Sequence, residues 1–177
     1  MDFQSVYSKV QGFMQMTVAE SQKLYDCAKR LPEGAVVVEV GTWEGGSAML
    51  LGAAVEEKGG TVFTIDNFRT DVFPGGRKPE EVTRNNLVNS KNVTLLVGNS
   101  EEIAASWDKP IDMLFIDGDH VYASVHEDIK NWVSKVKDGG IVCFHDYGSY
   151  TDVTIAVNEA LMKRISFPDH SLLAIIK

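Results

Sequence analysis

Along the 177-residue chain, short and nearly continuous apolar runs alternate with segments whose apolar positions recur at helical spacing. The runs are Val36–Val40, Thr61–Ile65, Val93–Val97, Met113–Ile116 and Ile141–Phe144. Their β-branched content and lack of a polar face predict strands covered on both sides. Strands separated by helix-length segments predict an α/β protein with a mostly parallel sheet.

The intervening segments carry helix start and stop signals. Thr17-Val-Ala-Glu20 reads as a capping box opening a helix to about Arg30, with residues 3–13 as a further stretch ahead of it. Ser47 stands just before Ala48–Lys58, and Gly59-Gly60 ends that helix. Pro79-Glu80-Glu81 suits a first turn, and Asn99 can cap a short helix towards Trp107. Ser124-Val-His-Glu127 reads as a second capping box, followed by Val125, Ile129, Trp132, Val133 and Val136 on one face. Asp138-Gly139-Gly140 is expected to turn the chain into the next strand. A last helix, about Val153 to Lys163, precedes two strand-like pieces, Ile165–Phe167 and Leu172–Ile176. The segment Asn67–Lys78, with Pro74-Gly75-Gly76 at its centre, reads either as a mobile lid or as a plain surface loop.

No internal repeat or low-complexity segment interrupts this pattern, so residues 1–177 are expected to form a single domain. Residues 1–33 would be an N-terminal helical segment and 34–177 the core. With 44% hydrophobic and 24% charged residues the composition is that of a soluble globular protein. The longest apolar stretches, such as Met49–Val55, are too short to cross a bilayer. The first residues lack the basic-then-apolar pattern of a secretory signal. Cys27 and Cys143 lie far apart and give no disulfide framework, so a reduced, cytoplasmic protein is expected. A net charge of −8 with no basic block argues against nucleic acid as the main partner.

Chemistry concentrates where strands end. Val36–Val40 runs into Gly41-Thr42-Trp43-Glu44-Gly45-Gly46-Ser47, a glycine-rich turn leading directly into a helix. Glycine lets the backbone approach a ligand, and open α/β sheets bind ligands beyond the carboxyl ends of their strands. The spacing does not fit the dinucleotide fingerprint. Glu39, a charge inside an apolar strand, needs a partner. Asp66 closes the second strand and could accept both hydroxyls of a ribose, or simply cap the strand end. Gly98-Asn99-Ser100 could meet an adenine edge, although helix capping alone would also explain Asn99 and Ser100.

A second cluster, Asp117-Gly118-Asp119-His120 and His145-Asp146-Tyr147, lies at the ends of neighbouring strands. Asp117, His145 and Asp146 form a plausible oxygen-and-nitrogen site for Mg²⁺ or Mn²⁺. His120 is the candidate general base. The alternative is that these groups only bond the loops together. His126, inside a helix, and His170, in a terminal turn, are expected at the surface.

Taken in order, Glu39-x-Gly41-x-x-x-Gly45-Gly46-Ser47, Asp66, Gly98-Asn-Ser100, Phe115–Tyr122 and Gly139–Tyr147 resemble the class I S-adenosylmethionine-dependent methyltransferases. The subgroup with D-G-D-H-x-Y and H-D-Y motifs is similar to the catechol- and caffeoyl-type O-methyltransferases. The resemblance runs from about residue 20 to the end of the chain. It implies a Rossmann-like, three-layer α/β/α fold with a seven-stranded, mostly parallel sheet and an antiparallel C-terminal hairpin. It places Gly41, Thr42, Gly45, Gly46 and Ser47, together with Glu39, at the methionine part of S-adenosylmethionine. Asp66 would hold the ribose, Asn67 would lie beside the adenine, and Ser100 would bond it, with Asn99 in the same cofactor-binding turn. Asp117 would stand near the sulfonium and, with His145 and Asp146, hold the metal, while His120 takes the acceptor's proton. The catechol-type enzymes have a carboxylate in place of His145 and usually a lysine in place of His120. A histidine base predicts an activity limb rising with a midpoint around pH 6–7.

The expected activity is therefore metal-assisted O-methylation of a small-molecule hydroxyl, of sugar or phenol type. The chain is short, so the acceptor site would be open, or completed by a partner copy in a homodimer. Two alternatives stand beside it: a cofactor-binding sensor or partner subunit without turnover, and a nicotinamide-dependent oxidoreductase. The intact D-G-D-H and H-D pairs favour catalysis over the first. The glycine spacing and Glu39 disfavour the second.

Overall fold

A computed structural model describes residues 1–69, 79–161 and 172–177. Six strands make one sheet in the order β3-β2-β1-β4-β5-β6. They are β1 (Val36–Val40), β2 (Thr61–Asp66), β3 (Val93–Val97), β4 (Ile111–Ile116), β5 (Val136–Phe144) and β6 (Leu173–Ile176). All neighbours are parallel except β5 and β6, which run antiparallel. The fold is the expected Rossmann-like one, with six strands among the described residues rather than seven. The expected piece Ile165–Phe167 lies outside the described residues, as does His170.

Among the described residues seven α-helices complete the layers: α1 (Phe3–Val10), α2 (Val18–Lys29), α3 (Gly46–Val55), α4 (Pro79–Leu87), α5 (Ser100–Ala105), α6 (Tyr122–Trp132) and α7 (Thr151–Leu161). Successive strand residues point to opposite faces, so one run of apolar residues serves two cores. Val37, Met113, Phe115 and Cys143 pack with Leu24, Tyr25, Leu50 and Leu51 from α2 and α3. Val38, Leu114, Ile116 and Phe144 pack on the other face with Val125, Ile129 and Trp132 of α6 and Val157 of α7. Nearly continuous apolar strands are the consequence of that double covering. Cys27 and Cys143 are free thiols. Among the described residues, no helix is long and apolar enough to cross a membrane.

The capping box at Thr17 forms as the residue types dictate. The Glu20 backbone N–H donates to the Thr17 hydroxyl, and the Thr17 backbone N–H donates to the Glu20 carboxylate at 2.7 Å. Four other local expectations are corrected. Ser47 lies inside α3, whose N-cap is Gly45 in a left-handed conformation (φ 88°). Ser124 does not cap α6: the helix starts earlier, with Val121 at the N-cap. Asp119 explains this, because its carboxylate accepts from the N–H groups of His120 and Val121 and from the Ser124 hydroxyl. Asp138-Gly139-Gly140 does not turn but continues β5. The reason is the antiparallel partner: the Gly139 N–H donates to the Lys177 carbonyl and the Lys177 N–H to that of Gly140, both at 3.0 Å. The last helix likewise begins at Thr151 rather than Val153. Residues 70–78 of the proposed lid lie outside the described residues.

Candidate active site

Strands β1, β2, β4 and β5 bring their carboxyl ends to one rim, and the sequence motifs follow them there. Gly41 leaves β1 with a left-handed φ of 93°, and a Cβ there would lie 2.0 Å from the Asp117 carbonyl oxygen. Only glycine allows this approach, so the turn after β1 packs directly on the backbone after β4. Gly46 has a different reason. A Cβ on it would lie 2.6 Å from the carbonyl of Phe13, where the N-terminal segment crosses α3. Its lack of a side chain therefore serves packing of the N-terminal segment.

Asp66 secures this turn. One carboxylate oxygen accepts from the backbone N–H groups of Thr42 (2.9 Å) and Trp43 (3.0 Å), the other from Phe68 (2.8 Å). The second oxygen keeps a lone pair for a further donor. The Thr42 side chain points inward, its hydroxyl 2.6 Å from that of Thr64. Thr64 in turn donates to Glu39, its cross-strand partner in the β1–β2 register. Glu39 is fully buried, and burial pushes its carboxyl up to about 8, against hydrogen bonds from Ser47 and Thr64 that favour the charged form. Its Oε1 has no hydrogen-bond partner among the described residues. A buried acceptor left open beneath the glycine turn can receive a donor from above or remain protonated.

Around the start of α5 the polar groups are mutually engaged. The Asn67 amide donates to the Asn99 side-chain oxygen at 3.2 Å, and Asn99 donates to Glu102. Ser100 donates its hydroxyl to Asp128 at 2.6 Å and accepts from the Trp132 indole N–H at 2.7 Å.

At the ends of β4 and β5, charges meet one another. Asp117, His120 and Asp146 each offer a ligand atom within 4.8 Å of the others. His120 Nε2 lies 2.8 Å from Asp146 Oδ2. His145 is buried, and its Nδ1 faces Asp117 Oδ1 at 2.9 Å and Asp146 Oδ2 at 3.1 Å. The geometry thus puts His120 among the clustered donors and makes His145 a clamp on the two carboxylates. Burial alone would lower His145, but hydrogen bonds to Asp117 and Asp146 outweigh it and push the imidazole up to about 10. Asp146 is held well below the usual carboxylate range: the hydrogen bonds and charges of His120 and His145 overcome a burial effect of opposite sign. Burial raises Asp117, with His145 opposing. His120 is raised above 6.5, chiefly by its hydrogen bond to Asp146. Asp146 itself sits at φ 60°, an uncommon conformation for a non-glycine residue and one that brings its side chain back over the cluster.

Three contributors carry no motif signal. Tyr150 stacks on the His120 ring at 4.2 Å and 17°. Glu20 reaches 3.8 Å from His145 Nε2, although the sequence marks it only as a helix cap. Asp128 holds Ser100. Glu20 and Asp128 lie on α2 and α6 and Tyr150 in the turn just ahead of α7, and it is packing on the sheet that brings them in. His126 stacks on Tyr122 at 5.7 Å and takes no part in the site.

A sheet of this order, parallel except for its last strand, with a glycine turn after β1, an acid ending β2 and an acid after β4, is the class I S-adenosylmethionine-dependent methyltransferase fold. Solved structures bear this out. The O-methyltransferase NovP superposes with a TM-score of 0.75 at 21% identity, covering 93% of this chain and 82% of that one. The Bacillus cereus O-methyltransferase, in complex with SAH, gives 0.69 at 14%, covering 100% and 92%. A SAM-dependent O-methyltransferase from Thermotoga maritima gives 0.69 at 17%, covering 97% and 71%. At these identities the likeness is one of fold.

The family is shown by sequence. A model described as "Methyltransferase domain" matches residues 38–147, more than half of the chain, and the chain belongs to that family. "Uncharacterized protein R132" of Acanthamoeba polyphaga mimivirus is 32% identical over 118 residues, 64% of this chain and 52% of that protein. The chain thus spans about half the length of this curated relative.

Proposed function

We propose that this methyltransferase moves a methyl group from S-adenosylmethionine to a small-molecule hydroxyl, with a divalent cation assisting and His120 as general base. The observation that carries the reading is the convergence of Asp117, His120 and Asp146 beside the glycine turn, since Gly41 packs on the Asp117 backbone. Cofactor turn and charged cluster are thereby adjacent.

The residues present suit both groups. Glu39 offers an open buried acceptor beneath the turn, and Asp66 keeps acceptor capacity. Two converging carboxylates suit Mg²⁺ or Mn²⁺. The cofactor supplies a methyl already activated by positive sulfur, and the cation supplies charge for the acceptor's oxygens. Asp117 and Asp146 would hold that cation, with His145 fixing both carboxylates from behind. Asp146 engages His120 Nε2, which leaves Nδ1 to take the hydroxyl proton. Tyr150 holds the imidazole plane. Catalysis by the protein is then positioning and proton removal.

The test is methyl transfer from labelled S-adenosylmethionine to a panel of phenols, catechols and sugars, with Mg²⁺ and with chelator. Transfer to a hydroxyl acceptor, reduced by chelator and by Asp117→Ala, supports the reading. Transfer confined to nitrogen or sulfur acceptors, or full turnover in Asp117→Ala, would overturn it.

A further inference from the structure

Cys27 and Cys143, far apart in sequence and unused in the chemistry above, meet in the core between α2 and the sheet. Cys143 is fully buried on β5, and the half-buried Cys27 packs against the cluster that contains it. Local structure explains the encounter. Glu20, Leu24 and Cys27 recur at i, i+4 and i+7, so they share one face of α2. Cys143 and His145 are alternate positions at the end of β5 and turn to the side of the sheet that α2 covers. The helix therefore meets this strand twice, through Glu20 at His145 and through Cys27 at Cys143.

Both thiols are free. A hydrogen bond from Cys143 is the largest influence on Cys27 and, with the charges of Arg30 and Lys23, outweighs burial to lower its thiol to about 7. Near neutral pH such a cysteine is substantially thiolate, the nucleophilic form. Because Cys143 is sealed in the core, a solvent-borne oxidant meets Cys27 first.

We propose that Cys27 and Cys143 form a peroxide-responsive pair, with Cys27 taking the first oxidation and Cys143 closing a disulfide that ties α2 to β5. The Cys27 sulfur attacks one oxygen of hydrogen peroxide: an S–O bond forms, the O–O bond breaks, and hydroxide leaves. Sulfur is oxidised to the sulfenic acid and peroxide is reduced. The Cys143 sulfur then attacks the Cys27 sulfur, forming the S–S bond and breaking the S–O bond. The departing hydroxide takes up the Cys143 proton as water. A dithiol reductant restores both thiols by exchange. The bridge closes a long loop of the chain, which favours the folded state. It also joins the helix that carries Glu20 to the strand that leads to His145.

The experiment exposes the folded, reduced protein to a small molar excess of hydrogen peroxide near neutral pH. Remaining thiols are then alkylated under denaturing conditions and the digest is read by mass spectrometry. The expected result is loss of both free thiols and a Cys27–Cys143 cross-linked peptide, with full recovery in dithiothreitol. In Cys143→Ala, oxidation should leave a sulfenic acid on Cys27 that dimedone traps. In Cys27→Ala, Cys143 should oxidise at least about tenfold more slowly than Cys27 does in wild type. Two alkylatable thiols in the treated wild-type protein would overturn the proposal whether or not the variants fold. So would a disulfide between two chains, or oxidation of Cys27 beyond the sulfenic acid with Cys143 still free.

Discussion

The two halves of the rim handle their polar groups in opposite ways. At the ends of β1 and β2, Asp66 is bound to backbone N–H groups and Glu39 to hydroxyls. At the ends of β4 and β5, Asp117, His120, His145 and Asp146 are bound chiefly to one another. Backbone and hydroxyl partners carry no titratable charge of their own. Mutual partners fix shape only while their charges persist, and they place titratable atoms where a reaction can use them. The proposed function makes the first half the part that holds a ligand and the second the part that acts on one. If so, substitutions in the two halves should separate binding from turnover.

The largest separation is expected at His120. His120→Ala should lower methyl transfer by about 10²–10⁴-fold, the usual contribution of a general base, with SAH affinity within about threefold. Parallel rate and calorimetric measurements check this, and a matching loss of SAH affinity would erase the distinction between the halves.

A smaller effect, on stability, is expected at Glu39. Its carboxyl is raised from 4.5 to about 8 by burial, so the native state favours the protonated form. The associated stability is fully present below pH 4.5 and is lost progressively as pH rises towards 8. Glu39→Gln should therefore be more stable than wild type at pH 8, by a margin on the order of a few kcal/mol in denaturant unfolding, and the margin should shrink at pH 5. The same variant should bind SAH less well. A pH-independent margin would show that Glu39 is not the group responsible.

The pH dependence of turnover sharpens the other half. Because Asp146 raises His120, the rising limb should lie above pH 6.5 and move down in Asp146→Asn. A limb unmoved by that substitution would remove His120 from the base role.

The smallest effects concern the frame. Gly46→Ala drives a methyl against the Phe13 carbonyl and should cost about 1–3 kcal/mol. Thr17→Ala breaks the capping box for about 1 kcal/mol. Denaturant midpoints would register both.

Much of the frame was legible because strands buried on both faces read as unbroken apolar runs, and Val36–Val40 and Val93–Val97 match β1 and β3 residue for residue. Legibility failed where long-range partners override local signals. Ser124 has the spacing of a cap, but Asp119 takes that task. Gly139-Gly140 has the composition of a turn, but Lys177 pairs with it. At the site, motif residues cluster as expected because strand ends converge. The clamp role of His145 and the stack of Tyr150 depend on side-chain directions, which no spacing encodes.

The most direct test is a calorimetric titration of SAH into the wild-type protein and into Asp146→Ala. The account predicts one-to-one binding in both, with affinities within about threefold and turnover lost only in the variant. No binding to wild type, or binding abolished in a folded Asp146→Ala, would contradict it.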